Sequence, residues 1–406
     1  MAKKIAALVF IFVMTSAAWM ILGGTTEIRS RTQDHSLRAA VGQLWGSIQK
    51  QRAPEVYFRV RRERTITKEV DGKTVTEKKT EKTDYRVTIQ KSNIDVDLSL
   101  DYRKKGLLWY STYRVLFAGR YLVENPSDST REYHFEYSFP NKDGIYDNFA
   151  VSIDGKTVET LYPASGRISL KLDLNAGDTS LVEVSYGSQG MDEWWYVFGE
   201  DVSQIKNFNL TMETDFDDVN FPENSISPVT KEKTDDGWKL IWSYSNLVSG
   251  IQIGMEMPKK LNPGPFVSRV SFFAPVSLFL FMFVLFMITT VRKMKIHPMN
   301  YFFIAASFFS FHLLLAYLVD HMALGPAFVI CSLVSVGLVV SYMRLVIGAR
   351  FALFETGLSQ LVYLVLFSFA FFLRGFTGLT ITILCILTLF IIMQLTARFK
   401  WEKEAS

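Results

Sequence analysis

The residues best equipped for chemistry are few, and most stand in apolar surroundings. His312, Asp320, His321 and Glu355 lie in or beside long apolar runs, and His297 opens one of them. An ionisable group inside a membrane span is costly, so each is a candidate functional group. Depth along the runs separates them. Asp320 and His321 fall at the end of one run, Glu355 lies near the start of another, and only His312 is well inside. His312 precedes Asp320 by eight residues, roughly 80° around a helix, so the two do not share one narrow face. Groups at opposite ends of a bilayer cannot form one metal site. Two readings stay open for the set: a proton or ion relay, or interfacial anchoring with helix–helix hydrogen bonds. His297 stands before Pro298, and a proline at the first helical position starts a helix without losing a hydrogen bond. His297 is then a cap, a ligand or a switch.

The polar stretch between the apolar runs offers less. Residues 25–265 contain His35 and His134 but no G-x-S-x-G, H-E-x-x-H or C-x-x-C pattern. Asp215, Asp217 and Asp218 lack the spacing of an EF-hand loop, so a charged strand end fits them better than a calcium site. Trp194-Trp195-Tyr196 is a contact patch, a membrane-interface anchor or core packing. These patterns assign no catalytic residue, no cofactor site and no metal ligand. The expectation is a protein that is not an enzyme.

Membrane helices must position the polar set. Lys3 and Lys4 precede an apolar run from Ile5 to Leu22. A signal peptide and a signal anchor both begin this way. The run is longer than the roughly 7–15 residues of a signal peptide, which favours an uncleaved anchor. Ser16-Ala17-Ala18 is where a cleavage would fall. Five further runs, 268–291, 300–319, 324–343, 351–373 and 376–397, each have the length that crosses a hydrocarbon core about 30 Å thick. Arg292, Lys293, Lys295 and His297 lie in one loop, and Arg344 and Arg350 flank another on the same side. Arg398, Lys400 and Lys403 follow the last run, while the opposite loops hold Asp320, His321 and Arg374. The positive-inside rule then puts both termini in the cytoplasm and residues 25–265 outside it. Arg374 is the one basic site that this orientation does not satisfy.

The stretch 25–265 reads as β structure behind a short helix. Leu37, Val41, Leu44, Trp45 and Ile48 recur at helical spacing over 28–51, and Pro54 ends the pattern. Alternation then sets in at Tyr133–Phe139, Phe149–Ile153, Ile168–Leu174, Phe208–Met212, Trp238–Tyr244 and Ile251–Met257. Asp71-Gly72, Asp154-Gly155 and Asp236-Gly237 are hairpin turn signals. Residues 61–84 read as a solvated hairpin. The expected fold class is a membrane α+β protein with six crossings. Its parts are an N-terminal anchor (1–24), a juxtamembrane amphipathic helix (25–54), an extracytoplasmic β-sandwich-like domain (55–265), five transmembrane helices (266–397) and a cytoplasmic tail (398–406).

Charge and cysteine content narrow the partners. Residues 25–120 carry 21 Lys and Arg against 12 Asp and Glu, and residues 121–265 carry 11 against 24. The acidic half and the membrane context argue against nucleic acid. Two readings fit the asymmetry: complementary halves of one domain, or a basic region held near anionic lipid headgroups. The two cysteines, Cys331 and Cys385, both lie in apolar runs, so no disulfide supports the β domain. The expected partners are the lipid bilayer and an envelope protein, glycan or lipid. The sequence does not give an oligomeric state.

Several residues together carry a family resemblance. Trp45-Gly46-Ser47-Ile48-Gln49 followed by Pro54, His297-Pro298-Met299-Asn300-Tyr301, Leu313-Leu314-Leu315 before Asp320-His321, Gly237-Trp238 with Trp242, and Thr396-Ala397-Arg398-Phe399-Lys400-Trp401 resemble the CreD family of bacterial inner-membrane proteins. Asp320-His321 departs from the Glu-His usual in that family, and residues 55–190 diverge from it. The resemblance implies an inner-membrane location. It also implies a role in cell envelope integrity or stress response, in a family linked to two-component regulation. It implies no enzyme activity and transfers no catalytic residue. The leading reading is therefore an envelope-binding protein. A transporter or channel through the five helices, and a membrane enzyme with its site near Asp320 and His321, are the alternatives.

Overall fold

A computed structural model describes residues 2–70, 73–106, 108–199, 202–294, 296–373 and 375–397, with side chains except at 2, 64–70, 73–79 and 395. The turn Asp71-Gly72, the basic sites Lys295, Arg374, Arg398, Lys400 and Lys403, and the closing Phe399 and Trp401 lie outside the described residues. Six helices are long and apolar enough to cross a membrane. They are α1 (Ala2–Trp45), α2 (Pro263–Val291), α3 (Pro298–Leu318), α4 (Leu324–Val346), α5 (Ala349–Phe372) and α6 (Thr377–Ala397). Their number and order are those expected. The chain divides into two compact units, Leu37–Lys260 and the remainder, with the boundary inside α1.

The start of the chain differs from expectation. An anchor over 1–24 and a second helix over 28–51 merge into one helix of 44 residues, about 66 Å long at 1.5 Å per residue. It ends at Trp45, well before Pro54. Gly46 has φ +122°, and a Cβ there would stand 2.2 Å from the carbonyl oxygen of Gln189. Only glycine accepts both the backbone angle and the close approach. The chain then becomes strand β1 (Gln49–Arg52), so β structure begins at 49 rather than 55.

Fourteen more strands follow in the β unit: β2 (Glu55–Val70), β3 (Lys73–Val87), β4 (Lys91–Lys105), β5 (Leu108–Glu124), β6 (Arg131–Ser138), β7 (Tyr146–Ile153), β8 (Lys156–Thr157), β9 (Arg167–Leu174), β10 (Thr179–Met191), β11 (Glu193–Val197), β12 (Ser203–Thr214), β13 (Thr230–Lys233), β14 (Trp238–Ser249) and β15 (Ile253–Glu256). They form an eight-stranded sheet β13-β14-β12-β4-β5-β10-β7-β8, a four-stranded sheet β3-β2-β6-β9 and a three-stranded sheet β1-β11-β15. One apolar core joins all three. Phe117 and Tyr121 of β5 meet Tyr137 and Phe135 of β6 at ring distances of 6.5 and 5.8 Å. Asp154 and Gly155 both have positive φ and close the β7–β8 hairpin, as their turn signal predicts. Gly237 has a different reason to be glycine, since a Cβ would fall 1.9 Å from the Thr214 oxygen. Trp194 and Tyr196 are core residues, whereas Trp195 points outward and donates its indole N–H to Glu193 at 2.8 Å. The aspartate cluster serves strand ends. Asp215 accepts the Leu100 N–H at 2.8 Å, and Asp217 pairs with Lys233.

Two buried glutamines on β1 tie this strand into the core. Gln51 is fully buried, and its Oε1 accepts the hydroxyls of Tyr137 and Tyr186, each at 2.8 Å. Gln49 donates to Ser188 Oγ at 2.8 Å and to the Gln189 carbonyl at 2.6 Å. Burial pushes both phenols well above the usual tyrosine range, so they stay protonated and remain donors. Replacing Gln51 by leucine leaves both hydroxyls without this acceptor. At about 1–3 kcal/mol for each buried group so orphaned, the β unit loses roughly 2–5 kcal/mol, or about 5–15 °C of melting temperature. Thermal unfolding of the full-length variant followed by intrinsic fluorescence measures it. An unchanged midpoint would show that the hydroxyls find other partners.

Candidate functional site in the helix cluster

Asp320 follows the end of α3, where the last carbonyls have no partner inside the helix. Arg29, on α1, fills this gap. Its guanidinium donates to the Ala316 carbonyl at 3.1 Å and pairs with the Asp320 carboxylate at 3.0 Å. A cation at a helix C-terminus is favourable for the helix dipole as well. The adjacent His321 is exposed, with its backbone N–H bonded to the Leu318 carbonyl at 3.0 Å. The carboxylate of this pair is thus engaged in joining two helices.

His312 is sealed in a different setting. It is 1% exposed and lies among the rings of Trp19, Phe308 and Phe311, with centroids 5.3, 6.3 and 5.0 Å away. Its Nδ1 is 3.4 Å from the Phe308 carbonyl oxygen one turn earlier. Trp19 is fully buried, and its indole nitrogen has no hydrogen-bond partner. Trp19 also packs on Phe308 and Phe309, so aromatic rings join α1 to α3 here. Nearby, Ser268 donates to the Gly23 carbonyl at 3.1 Å and fixes α2 against the same helix.

Glu355 lies on α5 and pairs with Arg292, the residue that caps α2, at 2.5 Å. Its second oxygen is buried without a partner. Residues 352–357 and 361–366 of α5 are wound as π-helix, a wider turn that recurs at functional sites. Between those stretches stands Gln360, fully buried, donating to Ser335 Oγ at 2.7 Å. Ser335 in turn donates to the Ser307 carbonyl at 2.5 Å, so one polar chain crosses α5, α4 and α3. Thr356 Oγ1 and Gln360 Oε1 are buried and unpartnered. Further along, Tyr363 and Thr388 share a hydroxyl contact of 2.8 Å between α5 and α6. The sequence marks this chain only by Gln360, an amide in a run that also carries Glu355, Thr356 and Ser359.

His297 is the N-cap of α3, its Nδ1 accepting the Met299 N–H at 3.2 Å. The five candidates therefore occupy separate places. Asp320 and His321 are chain neighbours, and no three of the described His, Cys, Asp or Glu residues form a group able to hold a metal ion. What the arrangement does chemically is join helices. Where lipid tails are as apolar as the side chains, ion pairs and interhelical hydrogen bonds supply the selectivity of packing. A double-mutant cycle of Arg29→Ala and Asp320→Ala in detergent tests the first of these links. Both groups are partly exposed, so the expected coupling is about 0.5–1 kcal/mol, the double variant losing less stability than the sum of the singles. Strict additivity would mean that the pair contributes nothing.

Comparison with known proteins places the chain among its relatives. A family model described as "Inner membrane protein CreD" matches residues 1–402. No individual curated protein matches. Among solved structures, a protein of Legionella pneumophila subsp. pneumophila str. Philadelphia 1 described as nutrient-binding is 9% identical, with a TM-score of 0.29. The match covers 55% of this chain and 82% of that one. An M1 zinc metallopeptidase from Deinococcus radiodurans is 8% identical, with a TM-score of 0.24 and 42% of each chain covered. Neither likeness is close enough to carry an argument. The family model spans nearly the whole sequence, including the helix junction, the polar helix ends and the β unit: the chain belongs to the CreD family of inner membrane proteins.

Proposed function

We propose that this protein is a non-enzymatic component of the bacterial inner membrane. Its β domain, on the extracytoplasmic side, binds another component of the envelope and so serves envelope integrity or stress response. The observation that carries this reading is how the polar groups of the helix cluster are used. Asp320 and Glu355 are ion-paired across helices, His297 caps a helix and His312 is enclosed by rings. That is the composition of a stable base. The large aromatic core of the β unit then supplies a rigid domain for recognition. The domain limits proposed from the sequence shift accordingly, with α1 running to Trp45 and the β domain from Gln49 to about Met257.

The orientation rests on Lys3, Lys4, Arg292, Lys293, Arg344 and Arg350, all on one side if every apolar helix crosses. Two measurements test the proposal. With Cys331 and Cys385 replaced by serine, a membrane-impermeant maleimide applied to cells with a permeabilised outer membrane should label Ala176→Cys at once. It should label Lys293→Cys only after the inner membrane is opened; the reverse pattern would sink the orientation. Deleting the gene should raise sensitivity to envelope stress, and the wild-type gene should restore resistance. A deletion strain indistinguishable from its parent under every envelope stress would count against the role.

A second reading, transport through the helices, draws on the π-helical turns of α5 and the unpartnered atoms of Thr356 and Gln360. It requires flux of a small solute or ion in reconstituted vesicles, reduced by Gln360→Leu. Vesicles no more permeable than protein-free controls would remove it.

A further inference from the structure

The β4–β5 hairpin ends in Arg103-Lys104-Lys105-Gly106 and continues after the turn as Leu108-Trp109-Tyr110. Its direction can be read against α1. Arg103 lies over the ring of Trp45 at 3.4 Å, Arg38 lies 5.8 Å from the Tyr110 ring, and a Cβ on Gly106 would stand 3.2 Å from Leu37. Moving from Trp45 back to Leu37 along the helix therefore follows the hairpin from Arg103 to its tip. The tip therefore lies beside Leu37, the first residue of this unit, and the apolar run of α1 ends fifteen residues earlier in the chain, at Leu22.

A second segment brings charge to the same place. Lys260 holds its ammonium 4.2 Å from the rings of both Tyr102 and Trp109, and it stands three residues before Pro263, where α2 begins. Lys259 is beside it, paired with Glu256 at 2.5 Å, and Arg103 is paired with Asp101 at 2.8 Å. Those two pairs use the carboxylates of the cluster. Lys104, Lys105 and Lys260 are left with no carboxylate partner among the described residues. Lys104 and Lys260 are exposed, and the Trp109 ring lies beneath both, 6.0 Å from Lys104. Unneutralised ammonium groups over indole and phenol rings, next to where the chain enters the membrane, have the chemistry of an interfacial anchor.

We propose that the β4–β5 tip and Lys260 form a docking surface for anionic phospholipid headgroups. The proposal rests on α1 and α2 crossing the membrane and not on the envelope role suggested above, so the two can fail separately.

Lysine footprinting tests it on the unmodified full-length protein in nanodiscs. One set contains only phosphatidylcholine and the other also contains phosphatidylglycerol. Acylation of Lys104, Lys105 and Lys260, read by mass spectrometry, should slow roughly fivefold when the anionic lipid is present, the factor matching about 1 kcal/mol per lysine at an anionic surface. Lys142 and Lys156, exposed elsewhere on the domain, serve as controls and should not change. Added salt should reverse the protection. Soluble glycerol phosphate given to the protein in detergent should not reproduce it. Equal rates in the two lipid compositions would overturn the proposal, and protection by glycerol phosphate would reassign the surface to free phosphate. As a second arm, Lys104→Glu/Lys105→Glu/Lys260→Glu should retain several-fold less phosphatidylglycerol on purification than Lys142→Glu/Lys156→Glu. Equal retention would also count against it.

Discussion

The β unit depends on what happens between Trp45 and Arg52. A helix must end and become a buried strand within a few residues, and each residue there is under a separate constraint. Gly46 is set by a backbone angle and a carbonyl oxygen that would meet any side chain. Ser47 holds the loop at Asn141 through a 2.8 Å side-chain hydrogen bond. Gln49 Nε2 donates to Ser188 and to the Gln189 carbonyl, and Gln51 Oε1 accepts two tyrosine hydroxyls, while Gln49 Oε1 is buried without a partner. A buried amide is costly unless its hydrogen bonds are made. The junction is therefore specific: the strand fits in one register, because a shift by one residue would bury Lys50 in place of a glutamine. Residues 37–45 of α1 belong to the same compact unit as these strands.

The helix cluster obeys a different rule. Burying one more leucine in lipid gains little, because lipid tails are as apolar as its neighbours. Helix contacts must be chosen by shape and by polar groups. The cluster uses both: Phe272 against Gly23, Ser30 against Gly264, and the chain Ser307–Ser335–Gln360. Two interhelical ion pairs stand at the ends of α3 and α2, Arg29 with Asp320 and Arg292 with Glu355. Deep positions hold hydroxyls, an amide and one imidazole. This gradient follows the cost of burying a charge, which grows with depth.

The sequence made some of this visible and hid the rest for physical reasons. Membrane helices need only length and composition, so all six could be read. Strands with a large inward residue at every second position were equally plain, as in β6, β9 and β12. The end of α1 was not, because the inward residues of β1 are glutamines and looked like part of a solvated helix running to Pro54. Asp320 could be placed at a helix end, but its partner Arg29 is 291 residues away and no local pattern links them. The same holds for Trp19 and His312. Gln360 gives no signal of its own, because one amide near Glu355, Thr356 and Ser359 barely changes the hydropathy of the run. In the motif Trp45-Gly46-Ser47-Ile48-Gln49, which carries the family likeness, the contacts of the junction account for Gly46, Ser47 and Gln49.

The uneven charge of the β domain also acquires a cause. If its basic and acidic halves merely neutralised one another, ion pairs should run between them. Most instead close within a half. Arg59 pairs with Asp84 and Arg120 with Asp95 in the first, while Lys171 pairs with Glu132 and Lys239 with Glu213 in the second. Arg38 with Asp192 is a pair that does join them. Exposed pairs of this kind contribute little to stability, so pairing alone does not account for the excess. A surplus of cations that its own domain does not neutralise acts outward. In this chain the hairpin tip that carries part of it packs beside Leu37 of α1.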